Sequence, residues 1–172
     1  LMFGSGAAAS STNTGSATTT VSRVLTMAAG YTLNAGSSAY MLPGSGTPFL
    51  MNGTFRGMGS RWWFTATANT NVASVDYGTL VLSPSGAGSP TFTLGGGTPT
   101  IGNLVISDGT NPVFVTADAN DPSTLITGDV TIRANGTFTA SNLGALDIGG
   151  SWRNSGTFAH SGAEVEFLSS DT

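Results

Sequence analysis

The residues of this chain whose types could do chemistry are few: one histidine, two glutamates, one acidic loop and one aromatic run. His160 has Ser161 beside it and Asp147 upstream, so a serine-histidine-aspartate arrangement can be drawn. A triad is defined by geometry and by an oxyanion site facing the hydroxyl. No nucleophile-elbow pattern surrounds Ser161, and an exposed turn histidine within Phe158-Ala159-His160-Ser161-Gly162 is the expectation. One histidine cannot build a histidine zinc site by itself.

Glu164 and Glu166 are the only glutamates. Strand alternation puts both on one face, roughly 7 Å apart, a separation that overlaps that of the two acids in inverting glycoside hydrolases. With no third acid, lysine or arginine expected nearby, an outward, solvated face beside buried Val165 and Phe167 is the better account. Asp118-Ala119-Asn120-Asp121-Pro122 gathers oxygen ligands that suit calcium, but it lacks the glycine and terminal glutamate of an EF-hand. A turn capped by its own Asp and Asn side chains is expected instead. Asn52-Gly53-Thr54 and Asn135-Gly136-Thr137 spell glycosylation sequons, and both coincide with Asn-Gly turns.

The aromatic run is Arg61-Trp62-Trp63-Phe64. On a strand the two tryptophans point oppositely, so one is core and the other outward. The outward one is suited to stacking on a sugar ring or to a subunit contact. Trp62 and Trp63 therefore stand as the contact or assembly candidates. No catalytic residue, cofactor-binding residue or metal ligand is assigned, and the chain is not expected to be an enzyme.

The elements that position these residues must be strands. Charged residues make up 8% of the chain, against roughly 25% in ordinary soluble domains. Solubility therefore rests on hydroxyls, amides and backbone, which leans away from the cytosol. The five basic residues are all arginines, scattered singly, and the net charge is -4. Neutralising phosphates needs clustered basic residues, so nucleic acid is not an expected partner. With no cysteine, disulfides and thiolate sites are excluded. No run approaches the ~18 apolar residues of a membrane helix. Leu1-Met2-Phe3-Gly4-Ser5-Gly6 lacks the features of an intact signal peptide, so the chain reads as mature or cut from something longer.

Residues 1–20 read as a low-complexity Gly/Ala/Ser/Thr arm or linker, because such sequence buries too little apolar area to offset its ordering entropy. Residues 21–172 read as one β-strand repeat domain. Apolar residues recur two apart in Phe92/Leu94, Leu104/Ile106, Val113/Val115, Val130/Ile132, Leu146/Ile148 and Val165/Phe167. That is the period of a strand with one buried face. Turn signals such as Pro43-Gly44, Asn135-Gly136 and Gly149-Gly150 separate these strands.

A Gly-Thr-apolar unit recurs at Gly53-Thr54-Phe55, Gly78-Thr79-Leu80, Gly136-Thr137-Phe138 and Gly156-Thr157-Phe158. The last two begin 20 residues apart (156 minus 136), and the interval before them is 58 (136 minus 78), near three such periods. This is the size of a solenoid coil. It places Phe55, Phe138 and Phe158 in equivalent inward slots, each preceded by a glycine that takes up a turn conformation. The fold class is all-β, a β-solenoid or β-helix of stacked short coils, with a β-sandwich as the alternative.

Leu146-Asp147-Ile148-Gly149-Gly150-Ser151-Trp152-Arg153-Asn154-Ser155-Gly156-Thr157-Phe158, followed by Ser161-Gly162-Ala163-Glu164-Val165-Glu166-Phe167, resembles the β-strand repeats of very large bacterial surface proteins. The likeness covers roughly residues 62–172 and is moderately specific. It implies an extracellular or cell-surface protein made of stacked coils, of which these 172 residues are one section or one subunit. The function this implies is structural: a self-assembling module of a filament, stalk or adhesin. Its partners would be itself, head to tail, or neighbouring repeats. Surface polysaccharide is the second class of partner, through an aromatic and Asp/Asn-lined face.

Overall fold

The computed structural model describes residues 18–168 together with the strands Met2–Phe3 and Ser10–Thr12. Among these residues there is no helix, and every strand pairing is parallel. Parallel pairing between strands about one coil apart defines a β-solenoid, here of about 7 turns. A sandwich is built from antiparallel strands, so that alternative is excluded.

Each turn contributes one strand to each of three faces. The first face stacks Thr18–Thr20, Ala39–Leu42, residues 61–64 of Thr54–Phe64, and residues 79–82 of Tyr77–Leu82. It continues through residues 103–106 of Thr100–Ile106, then Val130–Ile132 and Trp152–Asn154. The second face runs from Ser10–Thr12 through Thr32–Asn34 to the start of Thr54–Phe64. From there it passes by Tyr77 and Ile101 to Thr124–Ile126, Leu146–Ile148 and Val165–Phe167.

The third face is broken into two sheets. Met2–Phe3, Leu25–Met27 and Phe49–Met51 form one. Thr70–Val72, Thr91–Leu94, Val113–Thr116, Gly136–Thr139 and Thr157–Ala159 form the other. Between them, among the described residues, a single bridge runs from Gly46, ahead of Phe49–Met51, to Thr70. The break falls at the shortest turn: the register step from Trp62 to Leu80 is 18 residues, whereas that from Leu104 to Val130 is 26.

Alternation packs one side chain in two into the interior. Tyr40, Trp62, Leu80, Leu104 and Val130 form one inward row, and Leu42, Phe64, Leu82, Ile106 and Ile132 form the next. All of these are buried. The early turns are filled by aromatics: Trp62 lies between Tyr40, at 4.3 Å, and Phe49, at 5.0 Å, in near-parallel stacks. The later turns are filled mainly by Ile, Leu and Val, with Phe92 and Phe138 from the third face.

Phe138 and Phe158 are register partners, as the 20-residue spacing requires. Phe55 is not their equivalent. It pairs with Leu33 on the second face, and Leu80 belongs to the first. The Gly-Thr-apolar unit thus marks three different faces, and the 58-residue interval has no structural meaning. Gly136 and Gly156 do not adopt positive φ; Asn135 takes the left-handed conformation, at 62°. A Cβ on Gly156 would collide with the carbonyl oxygens of Gly136 and Arg133, so the requirement there is close approach of successive coils.

Three strands lie inside the segment 1–20, and each pairs with the chain's own next coil. The stack therefore starts before residue 21. The remainder of the arm, and the terminal residues 169–172, lie outside the described residues.

Candidate functional site

Residue 62 points inward and residues 61 and 63 outward on the first face, because the strand Thr54–Phe64 is regular at that end. Trp62 is fully buried, and its Nε1 donates to Ser60 Oγ at 2.7 Å while Ser60 Oγ donates to the Gly57 carbonyl at 2.5 Å. Its polar edge is satisfied internally, so the contact role open to the tryptophan pair rests with Trp63. Trp63 is half-buried, and the Arg61 guanidinium lies 4.7 Å from its ring centroid.

Parallel register sets Met41, Trp63, Val81 and Val105 side by side along the outer surface. Thr65 and Ser83 follow in the next column, and the segments around Pro84 and Asp108 rise beside them. Together they enclose a groove of about 290 Å³, reached by Arg61 and by Arg133 two turns beyond Val81. The floor is apolar and aromatic. The rim is hydroxyl-rich, and the hydroxyl of Thr65 is buried with no hydrogen-bond partner among the described residues.

The acids around this face are already committed. Asp108 Oδ1 accepts the backbone N–H groups of Thr110, at 2.7 Å, and Asn111, at 3.0 Å, which hold its carboxyl below the usual range. Asp129 accepts Ser151 N–H at 2.9 Å and pairs with Arg153 at 2.8 Å; the backbone bond first, then the arginine, lowers its pKa. Arg61 and Arg133, by contrast, form no ion pair among the described residues.

The other sequence candidates are scattered. His160 is exposed after the strand Thr157–Ala159, and no hydrogen bond among the described residues joins it to Ser161 or Asp147. Glu164 and Glu166 are both exposed. Glu166 is the register partner of Asp147, so a third acid does stand beside the pair, contrary to the sequence expectation. Local sequence could not reveal it, because the two are 19 residues apart (166 minus 147).

In the 118–122 loop, Asp121 Oδ1 accepts Ser141 Oγ at 2.9 Å and Asn142 N–H at 3.1 Å, while Asn120 Nδ2 donates to the Leu94 carbonyl at 2.8 Å. These side chains tie the loop to neighbouring coils. Among the described residues, no group of three or more His, Asp or Glu is placed to hold a metal. The Asn135 side chain donates to the carbonyls of Gly109 and Thr110, each at 3.2 Å. No helix among the described residues is long and apolar enough to cross a membrane.

A second cavity, of about 600 Å³, opens at the break in the third face between Met51, Phe55, Val75, Asp76 and Pro99. Comparison with family models, with curated proteins and with solved structures finds no match.

Proposed function

We propose that this chain is a structural module of an extracellular filament, stalk or surface adhesin of bacterial type, acting by coil stacking and self-association and not by catalysis. The observation that carries this reading is the edge formed by the last described coil. Among the described residues, Trp152–Asn154, Thr157–Ala159 and Val165–Phe167 each pair with another strand along one side alone. Their inward slots hold Trp152, Phe158 and Val165, all half-buried, and Phe167, 56% exposed. Trp152 packs edge-on against Phe158, at 4.9 Å, and Phe167, at 6.1 Å. Such an edge offers open backbone hydrogen bonds together with an aromatic surface, and a further coil satisfies both. A head-to-tail contact of this kind grows a filament when it does not close into a ring.

Negative-stain electron microscopy over a concentration series tests the reading. Unbranched fibres with a fixed axial repeat are the expected result. Dispersed monomers at high concentration would overturn self-association.

The outer groove favours a second reading, polysaccharide binding. Its apolar floor suits the C–H face of a sugar ring and its hydroxyl rim suits the ring's hydroxyls.

A further inference from the structure

We propose that the outer groove of the first face binds a linear carboxylate-bearing polysaccharide obliquely across the stacked strands, with Arg61 and Arg133 holding acid groups at its two ends. This rests on the polysaccharide reading and specifies the class of glycan.

The argument starts from charge. In a chain of net charge -4, two of five arginines reach one groove and neither is neutralised by an acid there. Asp108 stays charged, but its oxygens are turned into its own loop by Thr110, Asn111 and the Asn111 side chain. Arg61 is held against the Trp63 ring. The ring contact restrains the guanidinium, and its planar fork of N–H donors matches a carboxylate.

Arg133 lies three coil spacings further along, about 14 Å at about 4.8 Å per spacing. It also lies four residues across, about 13 Å, in the column of Thr65 and Ser83, so the two arginines stand diagonally roughly 19 Å apart. An acid held at each end therefore belongs to an extended ligand and not to a small anion.

The occupant's backbone chemistry follows from the sheet. From Ala39–Leu42 to Val130–Ile132 each first-face strand is paired on both sides. A peptide cannot add there as a strand, so recognition falls to side chains. What they offer is an apolar floor of Trp63 and Val105 and a rim that carries the hydroxyls of Ser83 and Ser85. Hydroxyls donate and accept, as sugar hydroxyls do.

Calorimetric titration of the full chain at low ionic strength tests this with three probes: a tetragalacturonate, its methyl ester, and pentaglutamate. Saturable binding of the uronate is expected, at least tenfold tighter than binding of the ester or the peptide. Arg61→Ala and Arg133→Ala should each weaken it about tenfold or more, and Arg61→Lys should fall between, since it keeps charge and loses the fork. Arg153→Ala, whose partner is Asp129, should change little. Thermal unfolding of each variant verifies that it is folded.

Equal binding of uronate and ester would overturn the acidic assignment and leave the polysaccharide reading standing. Equal, arginine-dependent binding of pentaglutamate would overturn it in favour of an acidic peptide. Binding of none of the three would overturn both readings.

Discussion

Phe138 and Phe158 occupy the same position on successive coils of the third face, their ring centroids 5.8 Å apart. Phe138 is buried beneath this contact, while Phe158 belongs to the last described coil and stays half-buried. Stability in a stacked repeat is a sum over coils and their nearest-neighbour interfaces. Phe138→Ala opens a cavity with coils on both sides and is expected to cost about 3–5 kcal/mol. Phe158→Ala should cost clearly less. Denaturant unfolding of both variants and their double mutant checks this, with a coupling of about 0.5–1.5 kcal/mol expected.

The tryptophan pair gives a sharper contrast. Trp62 is sealed between Tyr40 and Phe49, so Trp62→Ala should cost about 3–5 kcal/mol and lower the unfolding midpoint strongly. Trp63 lies outward under Arg61, and Trp63→Ala should cost about 1 kcal/mol or less, a lost cation–π contact and some packing. Similar losses for the two variants would contradict the inward and outward assignment.

Tyr77 predicts an alkaline limit. Burial pushes its phenol far above the ordinary tyrosine value of about 10, and its hydroxyl donates to the Ala73 carbonyl at 3.0 Å. The folded state therefore holds this proton more tightly than the unfolded chain. The resulting stability is fully present below about pH 10 and is lost as pH rises toward the raised folded value. Unfolding midpoints measured from neutral to strongly alkaline pH should fall above that point. Tyr77→Phe should flatten the fall, at a neutral-pH cost of about 1 kcal/mol for the lost hydrogen bond.

What could be read in the sequence was the part governed by short-range periodicity. The pairs Phe92/Leu94, Leu104/Ile106, Val113/Val115, Val130/Ile132 and Leu146/Ile148 all point inward because a strand fixes that alternation locally. Phe138 and Phe158 could be matched because the turn between them is regular. Phe55 could not be placed, since register steps range from 18 to 26 residues and one motif falls on different faces. The groove was hidden for the same reason. Arg61 and Arg133 come to one face only through the register of three successive pairings, and nothing local links them. Of that site, sequence alternation yielded just the opposed orientation of Trp62 and Trp63.

The last coil offers the most direct test of stacking as the organising interaction. Ile101, Ile126, Ile148 and Phe167 occupy one inward row; the first three are buried and Phe167 is 56% exposed. Its exposure reflects its place at the edge of the described stack, so a partner coil would bury it as Phe167 buries Ile148. Placing a charge there, as in Phe167→Asp, costs the folded monomer its edge contact with Trp152 and part of the cover over Ile148. That loss is on the order of 1 kcal/mol, and no more because the side chain already meets water. In an assembled stack the same charge would be buried without a counter-ion, which is strongly unfavourable. Phe167→Asp is therefore expected to lower the monomer's unfolding midpoint only modestly while abolishing concentration-dependent association in sedimentation velocity. Association that persists undiminished in this variant would place the contact elsewhere on the molecule.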